Sequence, residues 1–297
     1  MHPEIPNHDI DVLSEYREDN IMISRFAEYL SVHPNLMSAH RHSFYHLVFF
    51  TKGAGQHTID FNHFTVEPFQ IYFMIPGQVH SWNFSGPVDG YVVNFSTLFF
   101  ESFLLKPAFL DSFSFFNGIA EESVINVSNE VVDTLISLFE NLLKQVRSYA
   151  ILKEEMLKVI LLQIFITIEQ TEFKTKDNIT RQNSNTLIRE FQKLIEKKFV
   201  TARLPGEYAE FLHITPNHLN ALSKEHLGKQ AGEVIRDRII LEAKRLLVSL
   251  DLTVSEIAYQ LNFNDNSYFT KFFRKYAGIT PEAFRKKSMS EQNEVFN

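Results

Sequence analysis

The sequence predicts an α+β protein: a β-barrel in the N-terminal part, two long helices after it, and an all-α C-terminal part. Three observations lead there. Short runs of β-branched and aromatic residues, broken by Gly and Pro, fill residues 22–96. Apolar residues take up a helical spacing from Ser128 onward. The charge also changes sign along the chain. Residues 1–183 hold 12 Lys/Arg against 22 Asp/Glu, whereas residues 184–287 hold 17 against 12.

The bulk composition sets the frame. A chain of 297 residues with 44% hydrophobic and 22% charged side chains has room for two domains with cores of their own. It contains no cysteine, which excludes disulfides, thiolate metal sites and cysteine nucleophiles. The opening MHPEIPNHDID lacks the basic-then-apolar pattern of a signal peptide. The most apolar stretch, residues 159–168, is shorter than the roughly 20 residues of a membrane-spanning helix. The expectation is a cytoplasmic protein with no membrane contact.

The strand candidates are LVFFT at 47–51, QHTID at 56–60, FTV at 64–66, QIYFMI at 70–75 and GYVVNF at 90–95. Gly53, Gly55, Pro68, Pro76-Gly77 and Gly86-Pro87 punctuate them, as in a sandwich or barrel. Val131, Leu135, Leu138 and Leu142 then mark a first helix, and residues 151–168 a second. So much apolar helix surface must be buried, either on the barrel or against a second subunit. Residues 171–185 are polar and read as a linker.

Two later segments share one organisation. The first runs from Pro205 through a turn at His213-Ile214 into a helix opened by Thr215-Pro216. Thr215 suits the N-cap and Pro216 the first helical position. The second starts with Thr253 and Glu256, spaced as a capping box, and turns at 262–265. Asn262 tolerates the left-handed conformation of a tight turn, and Asn264 or Asp265 can cap the helix that follows. Leu219 and Leu222 in the first unit, and Phe269, Phe272 and Phe273 in the second, can face inward. Between the units, Ile235, Ile239, Ala243, Leu246, Leu247 and Leu250 form one apolar stripe on one helix. Such a helix can hold two exposed helices about 34 Å apart, the spacing of successive major grooves. Periodicity alone fits any amphipathic helical domain.

The residues themselves say more. RIILEAKRLL at 238–247 and LTVSEIAYQLNFNDNSYFTKFFRKYAGITPEAFR at 252–285 closely resemble the signature of the AraC/XylS family of transcription regulators. The resemblance spans about residues 187–287. It implies a double helix-turn-helix domain that binds double-stranded DNA as a homodimer, with an activator's contact to RNA polymerase. The base-reading positions it implies are Asn217, His218, Asn220, Ala221 and Lys224 in the first unit. In the second they are Asn266, Ser267, Thr270, Lys271 and Arg274. Asn pairs with adenine, and Lys or Arg with guanine. Lys275, Arg245, Lys286 and Lys287 are phosphate neighbours or merely solvated. Two positions depart from the family pattern: Ala221 stands where Arg is frequent, and Asn262 where Gly is usual.

In the N-terminal part, HRH at 40–42 and PGQVH at 76–80 resemble the cupin jelly-roll core over about residues 38–95. Metallocupins hold a divalent metal on three His and one Glu. Here the matching histidines are His40, His42 and His80, and the Glu position falls near His46. With the Glu absent, the expectation is no metal and no cofactor. The histidines are then turn residues or contacts to a small-molecule effector. Candidate ligand-lining residues are His42, Tyr45, His57, Tyr72, His80 and Trp82. Twenty of the 29 Phe lie before residue 184, and this aromatic richness suits a sugar, aromatic or apolar metabolite. The expected domains are a cupin-like sensor at 1–127, a helical pair for dimerisation at 128–170, the linker at 171–185, the DNA-binding domain at 186–288 and a tail at 289–297. A ligand-switched regulator follows, and not an enzyme, since no phosphate loop, Ser/His/Asp set or paired carboxylates stand out. The alternatives are a metal-dependent cupin enzyme with a helical tail and a ligand-independent DNA-binding protein.

Overall fold

The computed structural model describes residues 6–10, 20–101, 103–104, 107–175, 182–248 and 252–294. Two compact units emerge, residues 7–177 and residues 178–297. Of the expected linker, residues 176–181 lie outside the described residues, as does Leu250 of the apolar stripe. Helices enter the linker stretch from both sides, one ending at Thr175 and the next beginning at Gln182.

The first unit is a sandwich of two five-stranded sheets. One sheet has β1 (Asn7–His8), β3 (His40–His42), β8 (Val79–Phe84), β5 (Gly55–Ile59) and β6 (Asn62–Val66), in that order. The other has β10 (Val124–Asn126), β7 (Gln70–Met74), β4 (Tyr45–Lys52), β9 (Asp89–Phe95) and β2 (Ile21–Arg25), with the short helix α1 (Phe26–Val32) following β2. All neighbours pair antiparallel except β1 with β3. β9 crosses β4 closely at Gly90, where a Cβ would run into the Phe49 carbonyl oxygen.

Residues 46–50 of β4 are all buried. A half-solvated strand would alternate; this one is covered on both faces, which is why its sequence reads as an unbroken apolar run. Val48, Phe50, Tyr72, Met74 and Val92 point between the sheets, towards Ile59, Val66 and Trp82. Leu47, Phe49, Ile71, Phe73, Val93 and Phe95 point the other way, onto α2 (Asn129–Val146) and α3 (Lys153–Thr175). Phe139 of α2 stacks on Phe49 and Tyr91, and Phe165 of α3 meets Phe73 edge-on. Ser128 caps α2 by accepting the Glu130 N–H. Of the two fates open to the helical pair, packing on the barrel is realised. Met156, Val159 and Ile166 of α3 nevertheless remain 41–48% exposed.

The second unit is all helical: α4 (Gln182–Lys198), α5 (Pro205–Phe211), α6 (Pro216–Leu227), α7 (Ala231–Val248), α8 (Val254–Gln260), α9 (Asn266–Ala277) and α10 (Pro281–Glu294). α10 extends to Glu294, so helix replaces part of the tail expected at 289–297. α7 is the spine. Its Ile235, Ile239, Ala243, Leu246 and Leu247 are buried in one core with Phe191, Leu219, Ile257 and Phe269. Arg238 ties α7 to α4 through both oxygens of Glu196, each at 2.8 Å.

Candidate nucleic-acid interface and histidine-lined barrel

The two helix-turn-helix units repeat each other bond for bond. In the first, Leu212, His213 and Ile214 donate to the carbonyls of Tyr208, Glu210 and Ala209. In the second, Leu261, Asn262 and Phe263 donate to those of Ile257, Tyr259 and Ala258. The residue at the sharp bend is left-handed in both, His213 with φ 55° and Asn262 with φ 57°. Glu207 accepts the Leu204 N–H, as Glu256 accepts that of Thr253. The second helices are capped alike, by Thr215 on His218 N–H and by Asp265 on Tyr268 N–H, and they end alike at Gly228 and Gly278. Local sequence thus sets the bend, and the core sets the exposed face. Leu219 and Phe269 are wholly buried, which contributes about 1.5–3 kcal/mol each.

Burying those positions turns the opposite face outward. On α6, Asn217, His218, Ala221 and Lys224 are exposed. On α9, Ser267, Lys271 and Arg274 are exposed, while Asn266 and Thr270 are half-buried and hydrogen-bonded to each other. Asn220 is a correction. Its Oδ1 accepts the Ala231 N–H at 3.1 Å, which commits it to capping α7 instead of meeting a base. Arg245 is another. Only 3% exposed and paired with Glu242, it does not stand where a phosphate could reach it. Tyr268, 58% exposed, stands beside Ser267 and Lys271 on the same helix.

The barrel interior is of a different kind. Five of its six candidate lining residues share the inter-sheet face: His42, His57, Tyr72, His80 and Trp82. The sixth, Tyr45, is a correction. It lies on the opposite face of β4, stacked on Phe95 and against Phe116 under the helices. His40 and His80 are directly opposed across β3 and β8. His42 Nε2 lies 3.1 Å from His40 Nε2 and 2.9 Å from His80 Nε2. His40, His42 and His80 thus each offer one ring nitrogen, all within 4.8 Å of one another, a set able to hold a metal ion. His46 enters from β4, its Nδ1 2.5 Å from Asn94 Oδ1. Strand pairing, which local sequence does not reveal, is what brings Asn94 against His46. Burial pushes His40 down to about 3 and His46 to about 4, and holds His42, His57 and His80 well below the usual imidazole value. All five rings are therefore neutral near pH 7.

No helix among the described residues is long and apolar enough to cross a membrane. Residues 28–163 match the family model of the AraC-like ligand binding domain, and residues 208–287 match that of a helix-turn-helix domain. The chain is 38% identical over 80 residues to the transcriptional regulatory protein YesN of Bacillus subtilis, covering 26% of this chain and 22% of that protein. It is 31% identical over 104 residues to the transcriptional activator AarP of Providencia stuartii, covering 35% of this chain and 77% of that one. A solved structure of ToxT from Vibrio cholerae aligns over 90% of this chain and 98% of its own, with a TM-score of 0.43 and 14% identity. The chain spans 22%, 41% and 26% of the length of the first three curated relatives it matches. With one family model at each end of the chain and three quarters of an activator covered at 31% identity, the chain belongs to the AraC family of transcription regulators.

Proposed function

We propose that this chain is a sequence-specific DNA-binding regulator that reads duplex with α6 and α9 and answers to a small molecule in its barrel. The observation that carries this reading is the duplicated geometry around His213 and Asn262, which turns two polar, partly basic helix faces outward. Helices of this kind enter a major groove about 12 Å wide. Lys271 and Arg274 are the guanine readers, Asn217 and Asn266 the adenine readers, and Lys224 the phosphate contact. Ala221, without a polar group, meets a thymine methyl or leaves its base pair to shape readout.

The protein acts in the cytoplasm as a homodimer, not as an enzyme, and as an activator it recruits RNA polymerase. Support for the dimer comes from the second apolar face of α3, where Met156, Val159 and Ile166 are exposed although the first face is already buried on the barrel. The effector is a sugar, aromatic or apolar metabolite, held among His42, His57, Tyr72, His80 and Trp82. To regulate, it must favour one arrangement of the protein over another. Footprinting on genomic fragments tests the reading. Protection of two segments one helical turn apart, lost on replacing Lys271 and Arg274, is the expected result. Binding of all sequences alike, even at moderate salt, would sink it.

A further inference from the structure

The stretch between α4 and α5 bears on how the two exposed helices are held. Residues 200–203 are built into the first helix-turn-helix unit. The Tyr208 hydroxyl donates to the Ala202 carbonyl at 2.9 Å, and Glu207 Oε2 accepts the Arg203 N–H at 2.8 Å. The same short strap grips the bend of the second unit. The Arg203 guanidinium donates to the Leu261 carbonyl at the C-terminal end of α8, where a positive charge suits the helix dipole. Its Cζ lies 4.0 Å from the centre of the Phe263 ring, so the cation also rests on an aromatic face. In return, the Asn262 amide donates to the Val200 carbonyl at 3.4 Å. These hydrogen-bond partners stand 58 and 62 residues apart in sequence, so neither contact is local.

The grip reaches α9. Phe263 is buried, and its ring packs against those of Tyr268, Phe269 and Phe272 with centroids 5.8, 5.2 and 5.1 Å away. Tyr268 and Phe272 directly follow the exposed Ser267 and Lys271. The chain itself passes from one unit to the other through α7. Packed helices slide past one another by small amounts, so a single spine leaves the units a swivel. A second joint away from the spine removes it. We propose that Arg203 is a positioning residue: from the strap at residues 200–203 it locks the second bend to the first unit and so fixes the distance and rotation between α6 and α9. For duplex, a fixed pair of helices means a fixed spacing. One added base pair shifts the second segment by roughly 3.4 Å and turns it by about 34°. A locked pair cannot follow that change, whereas a swivelling pair can. This consequence rests on the reading of α6 and α9 as the duplex-reading helices; the lock itself does not.

Two measurements on the full chain separate the lock from that reading. The chain has no cysteine, so Glu225→Cys and Lys275→Cys, both at exposed positions, place one nitroxide label on α6 and one on α9. Double electron–electron resonance should give one narrow distance distribution, which Arg203→Met broadens while the helical circular dichroism stays unchanged. Arg203→Lys keeps the charge and a donor for Leu261 but loses the planar face over Phe263, and its distribution should fall between the two. The second probe is the tightest duplex that the unaltered chain selects from a random pool about three helical turns long. Inserting one base pair between its two protected segments should weaken binding about 100-fold for the unaltered chain and less than about 10-fold for Arg203→Met. An equally narrow distribution at the same distance in folded Arg203→Met would overturn the lock. So would an Arg203→Met chain that keeps the full spacing penalty and merely binds both duplexes more weakly. If no duplex is selected but the distribution broadens, the lock is supported and the duplex reading is lost. Should Arg203→Met fail to fold, Arg203→Lys decides by the same width and the same spacing penalty.

Discussion

The two units place their polar chemistry on opposite sides of their cores. In the helical unit the core is mainly apolar, with Gln192, Ser223 and Arg245 buried in the same unit, and the side chains proposed to read DNA stand outside on α6 and α9. In the barrel the outward face of the second sheet is sealed by α2 and α3, and five neutral imidazoles lie between the sheets. The first design tolerates change at its functional face, because exposed side chains contribute little to folding. The second couples site and fold, since each buried ring is also part of the interior packing. His57, stacked on Trp82 with ring centroids 3.3 Å apart, shows this coupling most directly.

That contrast breaks most visibly with acid. The barrel histidines titrate near 6.5 when unfolded, whereas burial lowers His40 to about 3 and His46 to about 4 and holds His42, His57 and His80 well below the usual imidazole value. Between those values the unfolded chain binds more protons, so the stability they allow is complete above about pH 6.5 and drains away as pH falls. Each ring contributes up to about 1.4 kcal/mol per pH unit. In EDTA, the urea midpoint read by Trp82 fluorescence should fall steeply from pH 7 to pH 5. A flat profile would mean that the inter-sheet space is wet and the rings already charge there.

Truncating the helical core should act on the other unit alone. Phe269→Ala removes a wholly buried ring between α9 and α7 and should cost about 3–5 kcal/mol. Duplex binding and part of the helical circular dichroism should vanish while Trp82 fluorescence stays native. A simultaneous change in Trp82 would join units that are compact separately. At the surface the effects are smaller. Lys271→Ala should weaken specific binding by about 1–3 kcal/mol and relax preference at one base pair. Lys224→Ala should instead lower the salt slope by about one. Equal losses on every sequence for Lys271→Ala would recast it as a phosphate contact.

The same contrast explains what the sequence made legible. Thr215, Pro216, Thr253, Glu256 and Asn262 act on neighbours within four residues, so the caps and bends of both helix-turn-helix units could be read directly. Asn220 escaped because its partner, Ala231, lies beyond a turn and in the next helix. In the barrel, strand phase decides which side chains meet, and a one-residue difference in phase exchanges the faces. Tyr45 and His46 are adjacent in sequence, yet one packs under the helices and the other joins the histidines. Only the pairing of His46 with Asn94 across β4 and β9 fixes this, and nothing local announces it.

The smallest effect separates the two bends from each other. His213 and Asn262 hold nearly the same left-handed φ, but their side chains differ in what they lose. A left-handed residue with a Cβ costs about 1–2 kcal/mol, and glycine avoids this while paying about 0.5–1 kcal/mol of extra chain entropy on folding. His213→Gly should therefore stabilise the helical unit by about 0.5 kcal/mol. Asn is better suited to this conformation, and the Asn262 amide also donates to the Val200 carbonyl at 3.4 Å, a bond glycine cannot make. Asn262→Gly should bring no gain. Urea unfolding followed by circular dichroism compares the two. Equal stabilisation would show that the Val200 contact contributes nothing and that both bends store the same backbone strain.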